Sequence, residues 1–189
     1  MFAATSLDLG DAFQFSVMRF GDDRGGFVKY MSEGVREQLP NFQIREVFIT
    51  SSHRGVVRGL HFQDPPRPQA KLVAVISGSV YEVVVDLRVG SPTYGNFAEF
   101  EMSAPKSSTS QVCGLFVPIG FAHGYAVLED DTQVLYCADE DFDPVLDSGI
   151  SLQSVRAAWP FEDPILSAKD KDLPQLEDYC SQFNYSEQA

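Results

Sequence analysis

Short β-branched runs separated by turn residues recur along most of this chain, and that spacing constrains its fold more than any other feature. Residues 71–76 (Lys-Leu-Val-Ala-Val-Ile) and 80–86 (Val-Tyr-Glu-Val-Val-Val-Asp) flank Ser77-Gly78-Ser79. Two such runs around a short glycine-containing turn predict a hairpin. Residues 97–102 (Phe-Ala-Glu-Phe-Glu-Met) alternate apolar and acidic side chains, the period-two pattern of a half-buried strand. Residues 42–50, 112–117, 124–128 and 132–137 read as further strands, with Pro118, Gly120 and Asp130-Asp131 as punctuation. Helical signals are confined to residues 32–39 and 164–171. Many short strands at intervals of roughly 8–12 residues indicate an all-β sandwich or barrel with a few short peripheral helices. The 189 residues suit one domain spanning 1–189, with a polar, peripheral tail after residue 173.

Charge narrows the functional classes. The formal net charge is −13, which argues against a general nucleic-acid binder, because phosphate neutralisation needs a basic surface. No apolar run reaches the ~18–20 residues of a membrane-spanning helix, and no basic segment precedes an apolar stretch at the N-terminus. Cys113, Cys137 and Cys180 are odd in number and form no C-x-x-C. These features predict a reduced, cytoplasmic protein. Residues 129–189 carry fifteen acidic side chains and three basic ones, whereas in 51–95 Arg54, Arg58, Arg67, Lys71 and Arg88 outnumber Asp64, Glu82 and Asp86. A positive segment within an acidic chain fits a small anionic ligand; chance scatter of surface charge fits equally well.

Three histidines are present. His53, in Ser51-Ser-His-Arg54, reads as an exposed loop residue. His61 stands in Arg58-Gly-Leu-His-Phe-Gln63, and His123 in Pro118-Ile-Gly-Phe-Ala-His-Gly124. The second stretch matches the P-x-G-x-x-H pattern of the second cupin motif. The first cupin motif places H-x-H and a nearby Glu for metal binding. Here His61-Phe62-Gln63 replaces H-x-H, and residues 64–68 (Asp-Pro-Pro-Arg-Pro) supply no Glu. Two histidines without those partners make a poor zinc or iron site, so a cupin-like barrel without metal is expected. Taken singly, His61 is also compatible with a hydrogen-bonded core histidine, and Tyr136 with a core aromatic. Their company tilts the reading: Arg58 and Lys71 are charge-assisted donors for phosphate or a developing oxyanion.

Several separate motifs then resemble one family. Gly55-Val-Val-Arg-Gly-Leu-His-Phe-Gln63, Ala70-Lys-Leu72, Val85-Asp-Leu-Arg88, Ser91-Pro-Thr-Tyr-Gly95 and Pro118-Ile-Gly-Phe-Ala-His-Gly124 resemble the dTDP-4-dehydrorhamnose 3,5-epimerase family. So do Asp23-Arg-Gly25, Trp159-Pro160 and Leu166-Ser-Ala-Lys-Asp170. The likeness covers residues 15–175. It implies a cupin-like jelly roll (a double-stranded β-helix), a homodimer, no metal or other cofactor, and epimerisation of a nucleoside-diphosphate-linked 4-keto-6-deoxysugar in deoxysugar biosynthesis.

By the same resemblance His61 is the base, Asp170 orients it, Tyr136 is the acid on the far face of the sugar, and Lys71 lies near the ketone oxygen. Arg24 and Arg58 match positions near the diphosphate and sugar, and His123 lines the pocket. Gln63, Lys29 and Phe142 also fall at substrate-binding positions. Three departures bear on specificity. Lys29 stands where the family has Glu, Glu46 and Phe48 stand near its Gln and Asn, and Asp141-Phe142-Asp143-Pro144 lacks a usual tyrosine hydroxyl. They leave open the nucleotide base and whether C3 alone, or both C3 and C5, are inverted. Two other classes stay open: a cupin isomerase or lyase acting on another small keto substrate, and a non-catalytic sugar-nucleotide-binding module.

Overall fold

The computed structural model describes residues 3–39, 41–105 and 111–186. Twelve strands follow in chain order: β1 (Ala3–Ser6), β2 (Phe13–Asp22), β3 (Gly25–Val28), β4 (Glu46–Ser52), β5 (Val57–Gln63), β6 (Lys71–Ser77), β7 (Ser79–Asp86), β8 (Phe97–Ser103), β9 (Gln111–Val117), β10 (Phe121–Val127), β11 (Thr132–Ala138) and β12 (Asp147–Gly149). All ladders between them are antiparallel. One sheet runs β1-β2-β9-β6-β11-β4, with β3 paired to β2, and the other runs β12-β5-β10-β7-β8. This is the jelly roll expected. Helices α1 (Glu33–Gln38) and α2 (Ala168–Lys171) are short and peripheral. Ser167 caps α2 by accepting a hydrogen bond from the Asp170 N–H, which fixes the Asp170 backbone.

The apolar runs are continuous because the central strands are buried on both faces. Val73 and Val75 of β6 join Val80 and Val84 of β7, Tyr125 and Tyr136 in the core between the sheets. Leu72 of β6 faces the other way, with Phe15, Phe116 and Val35 of α1. Val83 and Val85 of β7 pack under Leu60, Ile150 and Phe183, so the C-terminal segment covers the outer face of the five-stranded sheet. The tail expected to be peripheral therefore supplies core: Phe183 is buried, its C=O accepts from the Val89 N–H, and the Tyr185 N–H donates to the Val89 C=O, flanking a bridge between Val89 and Asn184.

The expected hairpin of 71–76 with 80–86 does not form. β6 pairs with β9 and β11 in one sheet, whereas β7 pairs with β8 and β10 in the other. At Gly78 (φ +77°) the chain crosses between the sheets, and a side chain there would collide with Thr132. Two runs buried on both faces each need two neighbours, and a tight turn between them does not make them partners. β1, β2, β3, β5 and β12 were not expected as strands; β5 sets Arg58, Gly59 and His61 among apolar residues and lacks a clean period-two signal, whereas β2 does carry one in Phe13-Gln-Phe-Ser-Val17.

Part of the positive balance of 51–95 is taken up by partners within the fold. Asp86 is buried and holds Arg88 through paired contacts of 2.9 Å, and Arg88 also reaches Asp11 at 2.8 Å. Arg67 pairs with Asp143, and Arg54 lies over Phe161. Cys137 and Cys180 are free thiols, one buried and one exposed, while the Cys113 side chain lies outside the described residues. No helix among the described residues is long and apolar enough to cross a membrane.

Candidate active site

Strands β5 and β10 lie unusually close, and that contact positions two histidines. A Cβ on Gly59 (φ +120°) would lie 2.6 Å from the Gly124 Cα, and one on Gly124 would lie 2.6 Å from the Arg58 carbonyl oxygen. Only glycine fits such an approach. The β10 ladder is irregular between His123 and Tyr125, and His123 lies directly opposite His61. Both histidines line a cavity of about 310 Å³ between the sheets, with Arg58, Gln63, Lys71, Tyr136, Glu46, Phe48 and Phe142. A wider groove, about 660 Å³, lies near α1 and is lined by Phe13, Phe42 and Phe116, with Asp11 and Asp139 its charged residues among those described.

Each histidine is paired with a carboxylate. His61 Nε2 is 2.6 Å from Asp170 Oδ1, joining β5 to α2 across 109 positions of sequence. Burial alone would raise the Asp170 carboxyl, but the hydrogen bond and charge of His61, the Ser167 hydroxyl and Lys169 together hold it below its ordinary value. A carboxylate on Nε2–H leaves Nδ1 as the basic nitrogen. His123 Nε2 is 2.6 Å from Glu82 Oε2 on β7; both side chains are buried, and Glu82 Oε1 has no hydrogen-bond partner among the described residues.

The opposite sheet contributes Tyr136 and Lys71. Burial raises the Tyr136 phenol well above its ordinary value, and Tyr125 and Glu82 add to the effect. The His123 ring meets Tyr136 edge-on, with centroids 6.1 Å apart at 62°. Burial lowers the Lys71 ammonium to about 8; Asp147 and Glu46 oppose that shift, and Lys169 adds to it. Asp147 in turn binds Lys169 at 2.5 Å. Arg58 is the cavity's arginine, its Nε donating to Ser52 Oγ at 3.1 Å.

Not every expected residue arrives here. Arg24 sits in the turn between β2 and β3, exposed and paired with Asp22 at 2.5 Å, and Lys29 is exposed just after β3. Within one chain neither lines the cavity, because the β2–β3 ribbon is attached to the sheet only through β2. Gln63 borders the cavity, but its amide is taken up by backbone. Nε2 donates to the carbonyls of Arg67 and Asp141, and Oε1 accepts from the Asp143 N–H. These bonds tie Gln63 to the 141–143 loop at the cavity's edge. Phe142, half exposed at the rim, is fixed by its N–H to Glu46 Oε2 at 3.0 Å. His53 lies exposed in its loop, as expected.

Sequence reasoning passed over Glu82, Thr50, Gln69 and Asp147. For Glu82 a signal existed: residues 80, 82 and 84 share one face of β7, and a lone carboxylate between two valines requires a buried partner.

A jelly-roll barrel holding a carboxylate-bound imidazole, a buried phenol and an ammonium in one cavity belongs to the cupin-like enzymes. The profile of the dTDP-4-dehydrorhamnose 3,5-epimerase family matches residues 6–178. The enzyme of that name from Methanothermobacter thermautotrophicus is 37% identical over 182 residues, spanning 93% of this chain and 94% of its own. Among solved structures, that of dTDP-4-dehydrorhamnose 3,5-epimerase from Bacillus anthracis, with TDP and PPi bound, superposes with a TM-score of 0.84 at 36% identity, covering 92% of this chain and 99% of that one. The dTDP-6-deoxy-D-glucose-3,5-epimerase of Legionella pneumophila, in complex with dTDP-4-keto-L-rhamnose, gives 0.89 at 27% identity, covering 98% and 100%. This chain belongs to the dTDP-4-dehydrorhamnose 3,5-epimerase family and is an isomerase.

Proposed function

We propose that the protein epimerises a nucleoside-diphosphate-linked 4-keto-6-deoxysugar beside its ketone, with His61 as base and Tyr136 as acid. One observation carries the reading: His61, held by Asp170, projects into the cavity from the five-stranded sheet, and Tyr136 lines it from the other. Inversion needs a proton removed from one face and another delivered to the opposite face. The C–H electron pair moves into the enolate as Nδ1 takes the proton; the phenol O–H then protonates the same carbon from the far side. The thymidine diphosphate and the thymidine-linked keto sugar bound by the two solved relatives support a substrate of this class. Proton transfer and an ammonium suffice for this chemistry without metal. The test is deuterium wash-in on dTDP-linked and other nucleotide-linked 4-keto sugars, with and without chelator, and product stereochemistry by NMR. No exchange on any of them would sink the reading, and exchange lost with chelator would remove its metal-free part.

Lys71 is placed to hold the enolate oxygen as an ammonium. Its value near 8 makes the charged form dominant at neutral pH and lost as pH rises through 8. Activity is therefore expected to fall about tenfold per pH unit above that point, in a pH–rate profile that Lys71→Arg shifts upward. A profile flat to pH 10 would count against this role.

Arg58 is the cavity group suited to the diphosphate. Arg58→Gln is expected to weaken nucleoside diphosphate binding by about 1–3 kcal/mol in calorimetry, and unchanged affinity would refute the assignment. For Arg24 to serve the same anion, a second copy of the chain must bring it. The exposed Phe20 and Phe27 beside it, stacked at 5.3 Å, suit such a contact in a homodimer.

A further inference from the structure

Strand β4 is the edge of its sheet, paired only with β11 among the described strands. Alternation turns Glu46, Phe48 and Thr50 toward the cavity and leaves Val47 and Ile49 exposed on the other face. Phe48 lies directly opposite Tyr136 in the ladder. Their rings stack with centroids 4.7 Å apart and planes 7° from parallel. The covering is one-sided: Phe48 is 38% exposed, while Tyr136 beneath it is 7% exposed. With His123 meeting the same phenol edge-on, Tyr136 is held on two sides. Thr50, the next inward residue, bonds the Tyr125 hydroxyl at 2.7 Å.

We infer that Phe48 is a positioning residue that fixes the plane of the Tyr136 phenol, and thereby sets how often the enolate is protonated on the inverting face. The inference rests on Tyr136 being the acid. An enolate formed by His61 has two fates. The imidazolium can return a proton to the face it came from, regenerating substrate with solvent hydrogen exchanged in. Alternatively the phenol O–H breaks as a new C–H bond forms on the opposite face, leaving a phenolate that solvent reprotonates. Loss of the stacked ring opens the phenol face to water and frees its side-chain torsions, which lowers the second rate and leaves the first intact.

The experiment compares deuterium entering recovered substrate with inverted product, on a dTDP-linked 4-keto-6-deoxysugar, for wild type, Phe48→Leu, Phe48→Tyr and Tyr136→Phe. Phe48→Leu is expected to raise the ratio of exchange to inversion about three- to tenfold, the size of a lost aromatic pair. KM should change by less than the ratio does in Phe48→Leu, since the ring's effect on inversion is exerted through Tyr136. Phe48→Tyr, which keeps the stack, should restore the wild-type ratio. In a Tyr136→Phe background, Phe48→Leu should change the ratio no further. If Tyr136→Phe abolishes inversion while Phe48→Leu keeps the wild-type ratio, the inference about Phe48 is overturned alone. If Tyr136→Phe inverts normally, the assignment of the acid is what fails. A Phe48→Leu effect confined to KM would make Phe48 a ligand contact and overturn the positioning role.

Discussion

His61→Asn is expected to lose both solvent exchange and inversion, with the rate falling by at least ~10²-fold, the usual size of general-base assistance. Asparagine keeps a polar side chain next to Asp170 but offers no nitrogen able to take the proton, so no enolate forms. Asp170→Asn should fall between this and wild type. The imidazole remains, but it loses the carboxylate 2.6 Å from Nε2 that selects its tautomer and stabilises its charged form. Tyr136→Phe should keep exchange while inversion falls, because the base is untouched. The measurement is deuterium content by mass spectrometry alongside product NMR. Full exchange and inversion in His61→Asn would overturn the mechanism.

A second large effect is expected in folding. Gly59→Ala puts a methyl 2.6 Å from the Gly124 Cα and 2.8 Å from the His123 carbonyl oxygen, at a φ of +120°. Close contact with backbone on a paired strand cannot be relieved by a rotamer change. The combined strain and overpacking should cost about 3 kcal/mol, lowering Tm by about 6–12 °C for a domain of this size. Gly90 is the control: its φ is +86°, with nothing within 4 Å of a built Cβ. Gly90→Ala should cost only the backbone term, about 1 kcal/mol. Equal melting temperatures for the two variants would show that the approach of β5 to β10 is not tightly packed. A Gly59→Ala protein that still folds should also show reduced activity, since the same contact sets His61 against His123.

An all-β sandwich or barrel was legible because strand spacing and β-branched composition are local properties of the chain; the jelly roll in particular came from the histidine motifs and the family resemblance. The partners of those strands were not, as the pair β6 and β7 shows: adjacent in sequence, they finish in different sheets. The histidine pocket was legible from short motifs, since the resemblance assigned His61, Asp170, Lys71 and Tyr136 without coordinates, and the fold brings His61, Lys71 and Tyr136 around one cavity with Asp170 bonded to His61. Roles set by tertiary contact escaped. Gln63 sits in the motif yet gives its amide to the 141–143 loop, and Arg24 sits in a matching motif yet lies on a ribbon away from its own cavity. Glu82 was hidden inside an apolar run. Phe48 stood out only as a departure from the family, and its stack on Tyr136 depends on the β4–β11 register, which no linear pattern displays.

The long reach from His61 to Asp170 also bears on synthesis. Of the strand pairings described, only β1–β2, β2–β3 and β7–β8 join neighbours in sequence. A chain still emerging from the ribosome can build those ribbons early, but His61 lacks its carboxylate partner until α2 has been made. On the proposed mechanism the chain is therefore incomplete throughout most of its own translation, and premature termination before residue 170 yields a product that has its early ribbons but not the His61–Asp170 pair.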